Sequence, residues 1–223
     1  MGFSPSSRGR LTERDLPRFP GQTVFDRIAR GVCAAGCLPR KELYEAWEVA
    51  RRTRRLFRGG RVVDLGSGHA LLAQVMLILD DSSPGAIAID KTQPPCAARA
   101  HQALVDVWPR LAERVTFLEG DLESVPLTAN DVVVSSHACG RLTDVVIERA
   151  LHAGARLAVL PCCHDFEACD TGGLEGWLDR ALAIDVCRAA RLEAAGYRVW
   201  TQSIPAEITP KNRLLLGAPG GQV

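Results

Sequence analysis

Aromatic side chains are scarce, at 5% of 223 residues, so the sequence shows no stacking platform for single-stranded bases. Net charge is scarce too. Lys and Arg number 27 against 26 Asp and Glu, which argues against a surface that grips nucleic acid all over and leaves room only for a local basic patch. No apolar run is long enough to span a membrane; the longest, Ala70 to Leu79, carries Gln74. The first twenty residues lack the apolar core of a secretory leader. Met1-Gly2 with Ser6 superficially fits a myristoylation signal, but nothing else in the sequence points to a membrane. Eight cysteines without an export signal or a Cys-x-x-Cys pair read as reduced thiols of a cytoplasmic protein, most of them small buried hydrophobes.

Hydrophobic residues make up 47% of the chain, ample for the core of one α/β domain. Residues 1–20 are rich in Ser, Arg, Pro and Gly without periodicity and are expected to form a flexible tail. Residues 21–60 read as a helical extension. One helix starts at the N-cap Thr23 and ends near Gly36, and a second follows Pro39 and closes at Gly59-Gly60. From residue 61 to 223 strands and helices alternate. Strands are expected at 61–65, 86–90, 115–118, 131–135, 156–160, 197–203 and 213–216, and helices at 70–79, 101–111, 142–152 and 174–194. That alternation predicts a mostly parallel seven-stranded sheet with helices on both faces. Ligands of such sheets bind beyond the carboxyl ends of the strands, where strand order reverses.

The strongest motif is Val62-Val63-Asp64-Leu65-Gly66-Ser67-Gly68-His69-Ala70. A strand that runs through an acid into Gly-x-Gly turns tightly and lets backbone approach a nucleotide-like ligand. A second strand ends in Asp90, and Glu119-Gly120-Asp121-Leu122 follows a third. Nicotinamide enzymes more often carry Gly-x-Gly-x-x-Gly, which Leu71 breaks. The three elements in order resemble the cofactor-binding motifs of class I S-adenosylmethionine-dependent methyltransferases, from about Arg61 to Leu216, with Ala70 where a third glycine is common. The resemblance implies a Rossmann-like α/β fold, S-adenosylmethionine as cofactor, and Asp64, Gly66, Ser67, Gly68, His69, Asp90, Asp121, Leu122 and Ser135 as its contacts. Asp90 is expected to accept from both ribose hydroxyls and Asp121 from the adenine amino group.

Two further loops carry reactive residue types: Ser135-Ser136-His137-Ala138-Cys139-Gly140 after the fourth strand, and Leu160-Pro161-Cys162-Cys163-His164-Asp165 after the fifth. The pairing of a His-x-Cys-Gly loop, followed by Thr143-Asp144, with a later Cys-Cys-His resembles the eukaryotic family that 2′-O-methylates a tRNA acceptor stem, and related methyltransferase domains. Methyl transfer asks the protein to position an acceptor and remove its proton, and histidine as a residue type titrates near neutrality. His137 is the first candidate for that role and His164 the second, with Cys139 and Cys163 beside them. Cys139, Cys162, Cys163, His164 and Cys169 also have the donor types that zinc takes. Adjacent residues in extended chain face opposite ways, so Cys162 and Cys163 are not expected to share an ion, and no metal site is assigned.

Arg51, Arg52, Arg54, Arg55 and Arg58 form a candidate phosphate-binding patch for an RNA substrate. Glu42, Glu45 and Glu48 lie close enough on the same helix to pair part of it internally, and Asp185 and Arg188 are spaced to pair on a later helix. Ile208 to Arg213, before the last strand, holds polar groups for the Cys-Cys-His loop or an anionic substrate, or is an ordinary turn. RNA is the first expectation for the acceptor. A small molecule under a lid lined by Tyr44 and Trp47 is the alternative, and a noncatalytic cofactor-binding protein a third reading.

Overall fold

The sheet follows from short apolar runs, each closed by a polar or glycine turn. The computed structural model describes residues 3–221; Met1-Gly2, and with them the myristoylation signal, lie outside the described residues, as do residues 222–223. The elements are α1 (Val24–Ala35), α2 (Arg40–Leu56), β1 (Val62–Leu65), α3 (Leu71–Leu79), β2 (Ala86–Asp90), α4 (Ala97–Val105), β3 (Val115–Glu119), β4 (Val132–Ser135), α5 (Arg141–Ala153), β5 (Arg156–Val159), α6 (Arg180–Ala194), β6 (Tyr197–Ser203) and β7 (Arg213–Pro219). The seven strands run in the order β3-β2-β1-β4-β5-β7-β6. The first five are parallel, and β7 lies antiparallel between β5 and β6. Strand order reverses between β1 and β4, which opens a crevice at their carboxyl ends.

Successive strand residues face opposite sides, and two cores result. Val62, Val132, Val134, Ala158, Leu214 and Leu216 join the core under α1 to α4. Val63, Leu65, Val133, Leu157, Val159 and Leu215 join the core with Ile147 of α5 and Leu192 of α6. The expected α/β fold, with helices on both faces, is the observed one. No helix among the described residues is long and apolar enough to cross a membrane.

The last strand runs to Pro219, three residues beyond the expected end, and three larger differences from the sequence reading follow. The helix expected at 101–111 runs from Ala97 to Val105 and is followed by a separate 3-10 turn at Pro109–Leu111. Trp108 leaves the helical region, with φ of −130° and ψ of 81°, because the proline after it disfavours helical backbone. The stretch at 174–194 is a 3-10 turn at Leu174–Gly176 and then α6, whose N-cap Asp179 accepts from the Leu182 N–H at 3.0 Å.

The third difference is the N-terminal segment, which is ordered from residue 3 and lies on the core. Leu11 and Phe19 are buried. The Leu11 N–H donates to the Leu38 carbonyl at 2.9 Å, the Arg40 N–H to Gly9 and the Lys41 N–H to Ser7, both at 3.0 Å. Arg30 caps the carbonyls of Phe19 and Gly21 at 2.7 and 2.6 Å. The anchors Phe3, Leu11 and Phe19 share no helix or strand period, so the segment reads as a tail although backbone bonds and isolated apolar plugs hold it. Truncating a buried leucine costs about 2–5 kcal/mol. Leu11→Ala is expected to lose stability in that range by urea unfolding, whereas a change below about 0.5 kcal/mol, usual for an exposed site, would mean that the segment does not contribute.

Candidate functional site

β1 ends in a turn that needs glycine. Gly66 and Gly68 have φ of 74° and 52°, the left-handed region that L side chains enter at a cost. A Cβ on Gly66 would lie 3.4 Å from the Ala138 nitrogen, so the loops after β1 and β4 meet backbone to backbone. Ala70 holds φ of 58°, bearing strain that glycine would not. The N–H groups of Gly66 and Ser67 donate to the Ile89 carbonyl at 2.9 and 3.0 Å, which ties the turn to β2.

Asp90 closes this turn from the next strand. One of its carboxylate oxygens accepts from the Gly68 N–H and the other from the Lys91 N–H, both at 2.8 Å. Each oxygen keeps a lone pair for a ligand. The Gly120 N–H donates to the Asp90 carbonyl at 3.0 Å, so exposed Asp121 sits at the neighbouring strand end. Leu122 is buried behind it, and its carbonyl accepts from Arg149. Thus the structure brings Gly66, Gly68, Asp90 and Asp121 to one end of the sheet.

Asp64 is buried on β1, with one oxygen accepting from the Ala73 N–H at 3.3 Å and the other without a partner. Burial pushes its carboxyl up to about 8, against the relief of the Ala73 bond, and Asp90 and Glu42 push the same way. A buried acceptor without a donor, beside a turn whose two glycines carry no side chain, suits a ligand that brings a positive charge and donors. S-adenosylmethionine, with its ammonium, sulfonium and ribose hydroxyls, fits these residues.

Two of the expected contacts also bond within the protein. The buried Ser135 hydroxyl donates to the Leu65 carbonyl at 2.6 Å and accepts from the Ala138 N–H at 3.2 Å, so it stitches β1 to the loop after β4. His69 meets the Glu42 carboxylate through Nδ1 at 2.9 Å. Glu42, at the start of α2, is the residue that sequence reasoning missed: its helix pattern marked it as a partner for arginines, whereas it ties α2 to the Gly-x-Gly turn.

His137 follows β4 and is half-buried, and a Cβ placed on Gly68 would lie 3.6 Å from its Cδ2. The imidazole therefore borders the cofactor turn. His164 does not join it. Its side chain is 1% exposed and its Nε2 meets Asp185 at 2.8 Å, so this second candidate for acceptor chemistry is a buried fastener. Asp185 also accepts from Arg213 Nε at 2.6 Å and Arg188 at 3.3 Å. Burial raises the Asp185 carboxyl, but the bonds from His164 and Arg213 outweigh it and hold the group below the ordinary carboxylate range. The Ile208 to Arg213 segment thus reaches the Cys-Cys-His loop, through Asp185.

The two reactive loops are joined by the Gly140 N–H, which donates to the Cys163 carbonyl at 3.1 Å. The chain leaves β5 after Val159 and is in neither strand nor helix from Leu160 to Asp165, so the alternation of extended chain does not separate Cys162 from Cys163. The sulfurs of Cys139, Cys162 and Cys163 lie within 4.8 Å of one another.

The arginine patch is not at this site. Arg54 is 3% exposed, pairs with Asp80 at 3.2 Å and donates to the Met76 carbonyl. Arg51 and Arg52 pair with Glu48 at 2.9 and 3.0 Å, leaving Arg55 and Arg58 exposed. A helix rises 1.5 Å per residue, so Arg54 lies about 18 Å along α2 from Glu42, toward the amino end of the sheet.

The raised carboxyl of Asp64 has a consequence for stability. An unfolded aspartate titrates near 3.9, so between there and about 8 the folded chain binds the extra proton and stability falls as pH rises. Asp64→Asn mimics the protonated acid and removes this slope. Urea midpoints at pH 5, 6.5 and 8 are expected to show the variant gaining on the parent as pH rises, and parallel profiles would contradict an elevated Asp64.

Similar folds among solved structures are distant in sequence. An O-methyltransferase family protein from Burkholderia thailandensis superposes with a TM-score of 0.53 at 19% identity, over 94% of this chain and 64% of that one. The tRNA methyltransferase TrmK of B. subtilis gives 0.51 at 20%, over 78% and 66%. TrmK of M. capricolum, in complex with S-adenosylhomocysteine, gives 0.50 at 11%, over 77% and 67%. The chain spans just under two thirds of the first two, and at these identities the likeness is one of fold. No curated protein sequence matches the chain. A family model described as a methyltransferase domain matches residues 42–184, so the matched region begins at Glu42 and takes in α2, ahead of the boundary expected at residue 61. With more than half of its length matched, the chain belongs to the methyltransferase-domain family, whose class I fold implies S-adenosylmethionine as cofactor.

Proposed function

We propose that this protein transfers a methyl group from S-adenosylmethionine to an RNA, with His137 as the residue that takes the acceptor's proton. The observation that carries the reading is the position of His137 against Gly68, where a proton acceptor borders the cofactor turn. When bound, the cofactor supplies a methyl carbon on a sulfonium, open to in-line displacement. Gly66 and Gly68 would admit it without side-chain obstruction, Asp90 and Asp121 would accept from its hydroxyls and amino group, and Asp64 would face its positive charge. His137 then orients the acceptor and receives its proton, and His164 acts only by fixing the neighbouring loop.

RNA is favoured by what surrounds the site. The few aromatics include two exposed ones near the Cys-Cys-His loop: Phe166, and Trp177 at 89% exposure. The Arg180 guanidinium stacks 5.0 Å over the Phe166 ring, and Arg141 begins α5. Exposed rings with arginines stack unpaired bases and neutralise phosphates. The two reactive loops resemble a tRNA 2′-O-methyltransferase family, and TrmK is named as a tRNA methyltransferase.

The test is transfer of labelled methyl from S-adenosylmethionine to RNA pools and, in parallel, to metabolite extracts. Label is expected in RNA, with turnover falling about 10²–10⁴-fold in His137→Ala while S-adenosylhomocysteine still binds. Trp177→Ala with Arg180→Ala should raise the KM for RNA and flatten its salt dependence. Label confined to metabolites would replace RNA with a small-molecule acceptor. Cofactor binding without any turnover would make the protein a noncatalytic binder.

A further inference from the structure

The thiol cluster lies outside the chemistry assigned to His137. Cys139, in the loop after β4, and Cys162 and Cys163, in the loop after β5, bring three sulfurs within 4.8 Å of one another, with Cys139 and Cys162 at 2.7 Å. Two of the three are exposed and the third half-buried, so an ion has a way in. Zinc binds thiolate at about 2.3 Å, which spaces the sulfurs of a tetrahedral site about 3.8 Å apart. Side-chain rotations of about an ångström reach that spacing.

We propose that Cys139, Cys162 and Cys163 bind one thiophilic divalent cation, zinc above all, with its fourth position left to water. The cluster contains no fourth protein ligand among the described residues. His164 is not one of the three clustered groups; its Nε2 meets Asp185 and its Nδ1 is buried without a partner. Cys139 and Cys163 line an open cleft of about 420 Å³ with Arg141, Leu142, Val145 and Asp165, so the fourth position has room for water or a ligand. Three protein ligands with an open position are the pattern of reactive rather than purely structural zinc sites.

The electrostatics agree with the geometry. Burial pushes the thiols of Cys139 and Cys162 up, and for Cys162 the neighbouring thiols add to it. Three thiolates are therefore costly to form side by side without a cation. On binding, the three thiols release three protons and leave a site of net charge −1, near which Lys41 contributes a positive charge. The ion would clamp the two loops that the Gly140 to Cys163 hydrogen bond already joins.

The experiment is cobalt(II) titration of the reduced, chelator-treated full chain, reading the thiolate-to-cobalt charge-transfer band, with zinc content per chain measured in parallel by mass spectrometry. One equivalent is expected, displaced by zinc. Cys139→Ser, Cys162→Ser and Cys163→Ser should each weaken binding by about 100-fold or more, beyond the usual cost of losing an outer-shell partner. Cys187→Ser, on α6, should bind as the parent does. Retained S-adenosylhomocysteine binding shows that each variant is folded and keeps this test separate from methyl transfer. The proposal fails if the reduced parent shows no band, if Cys162→Ser binds like the parent, or if a Cys139–Cys162 disulfide persists under reductant and cobalt stays free.

Discussion

The arrangement of the site depends on one buried guanidinium. Arg188 is 2% exposed and donates to Asp144 at 2.8 and 3.0 Å, to Asp185 at 3.3 Å and to the Gly140 carbonyl at 3.0 Å. Burying a charge is costly unless its donors are met, and removing one partner from such a pair typically costs about 3–5 kcal/mol. Gly140 and Asp144 lie where the chain leaves β4 and enters α5, and Asp185 holds His164 beyond β5. One side chain on α6 therefore sets the separation of the two loops that flank the reactive end of the sheet. Gly140, with φ of 57° and Asp165 Cβ 3.1 Å from where its own Cβ would be, permits the close approach.

A second constraint acts at β1 and β2. The glycines of the Gly-x-Gly turn have no side chain to hold its shape, and its backbone N–H groups are fastened to β2, two on the Ile89 carbonyl and one on the Asp90 carboxylate. The carboxylate that is to meet a ribose thus also shapes the turn beneath it. Glu42 reaches the same turn through His69, so α2 is tied to the turn. The two constraints meet at the β1–β4 crevice, where His137 borders Gly68.

Much of the fold was legible because local signals agreed. Val62 to Leu65 and Ala86 to Asp90 are apolar runs closed by glycine or acid; Thr23 and Gly36 bracket α1 as a cap and a left-handed stop. Side-chain direction was not legible. His164 and His137 are the same residue type at equivalent strand ends, yet one is buried on Asp185 and the other borders the cofactor turn, a difference set by α6, more than a dozen residues further on. Ser135, Arg54 and His69 each make a long-range bond that no local pattern signals. The N-terminal segment was hidden because its anchors have no period, and the thiol cluster because the chain is no longer a strand where Cys162 and Cys163 lie.

The central claim is that the β1–β2 end of this sheet binds S-adenosylmethionine, and calorimetric titration with S-adenosylhomocysteine of the parent and of Asp90→Ala tests it most directly. The account predicts saturable one-to-one binding by the parent and a loss of about tenfold or more, at least 1.4 kcal/mol, in the variant. No binding by the parent, or equal binding by both, would contradict it.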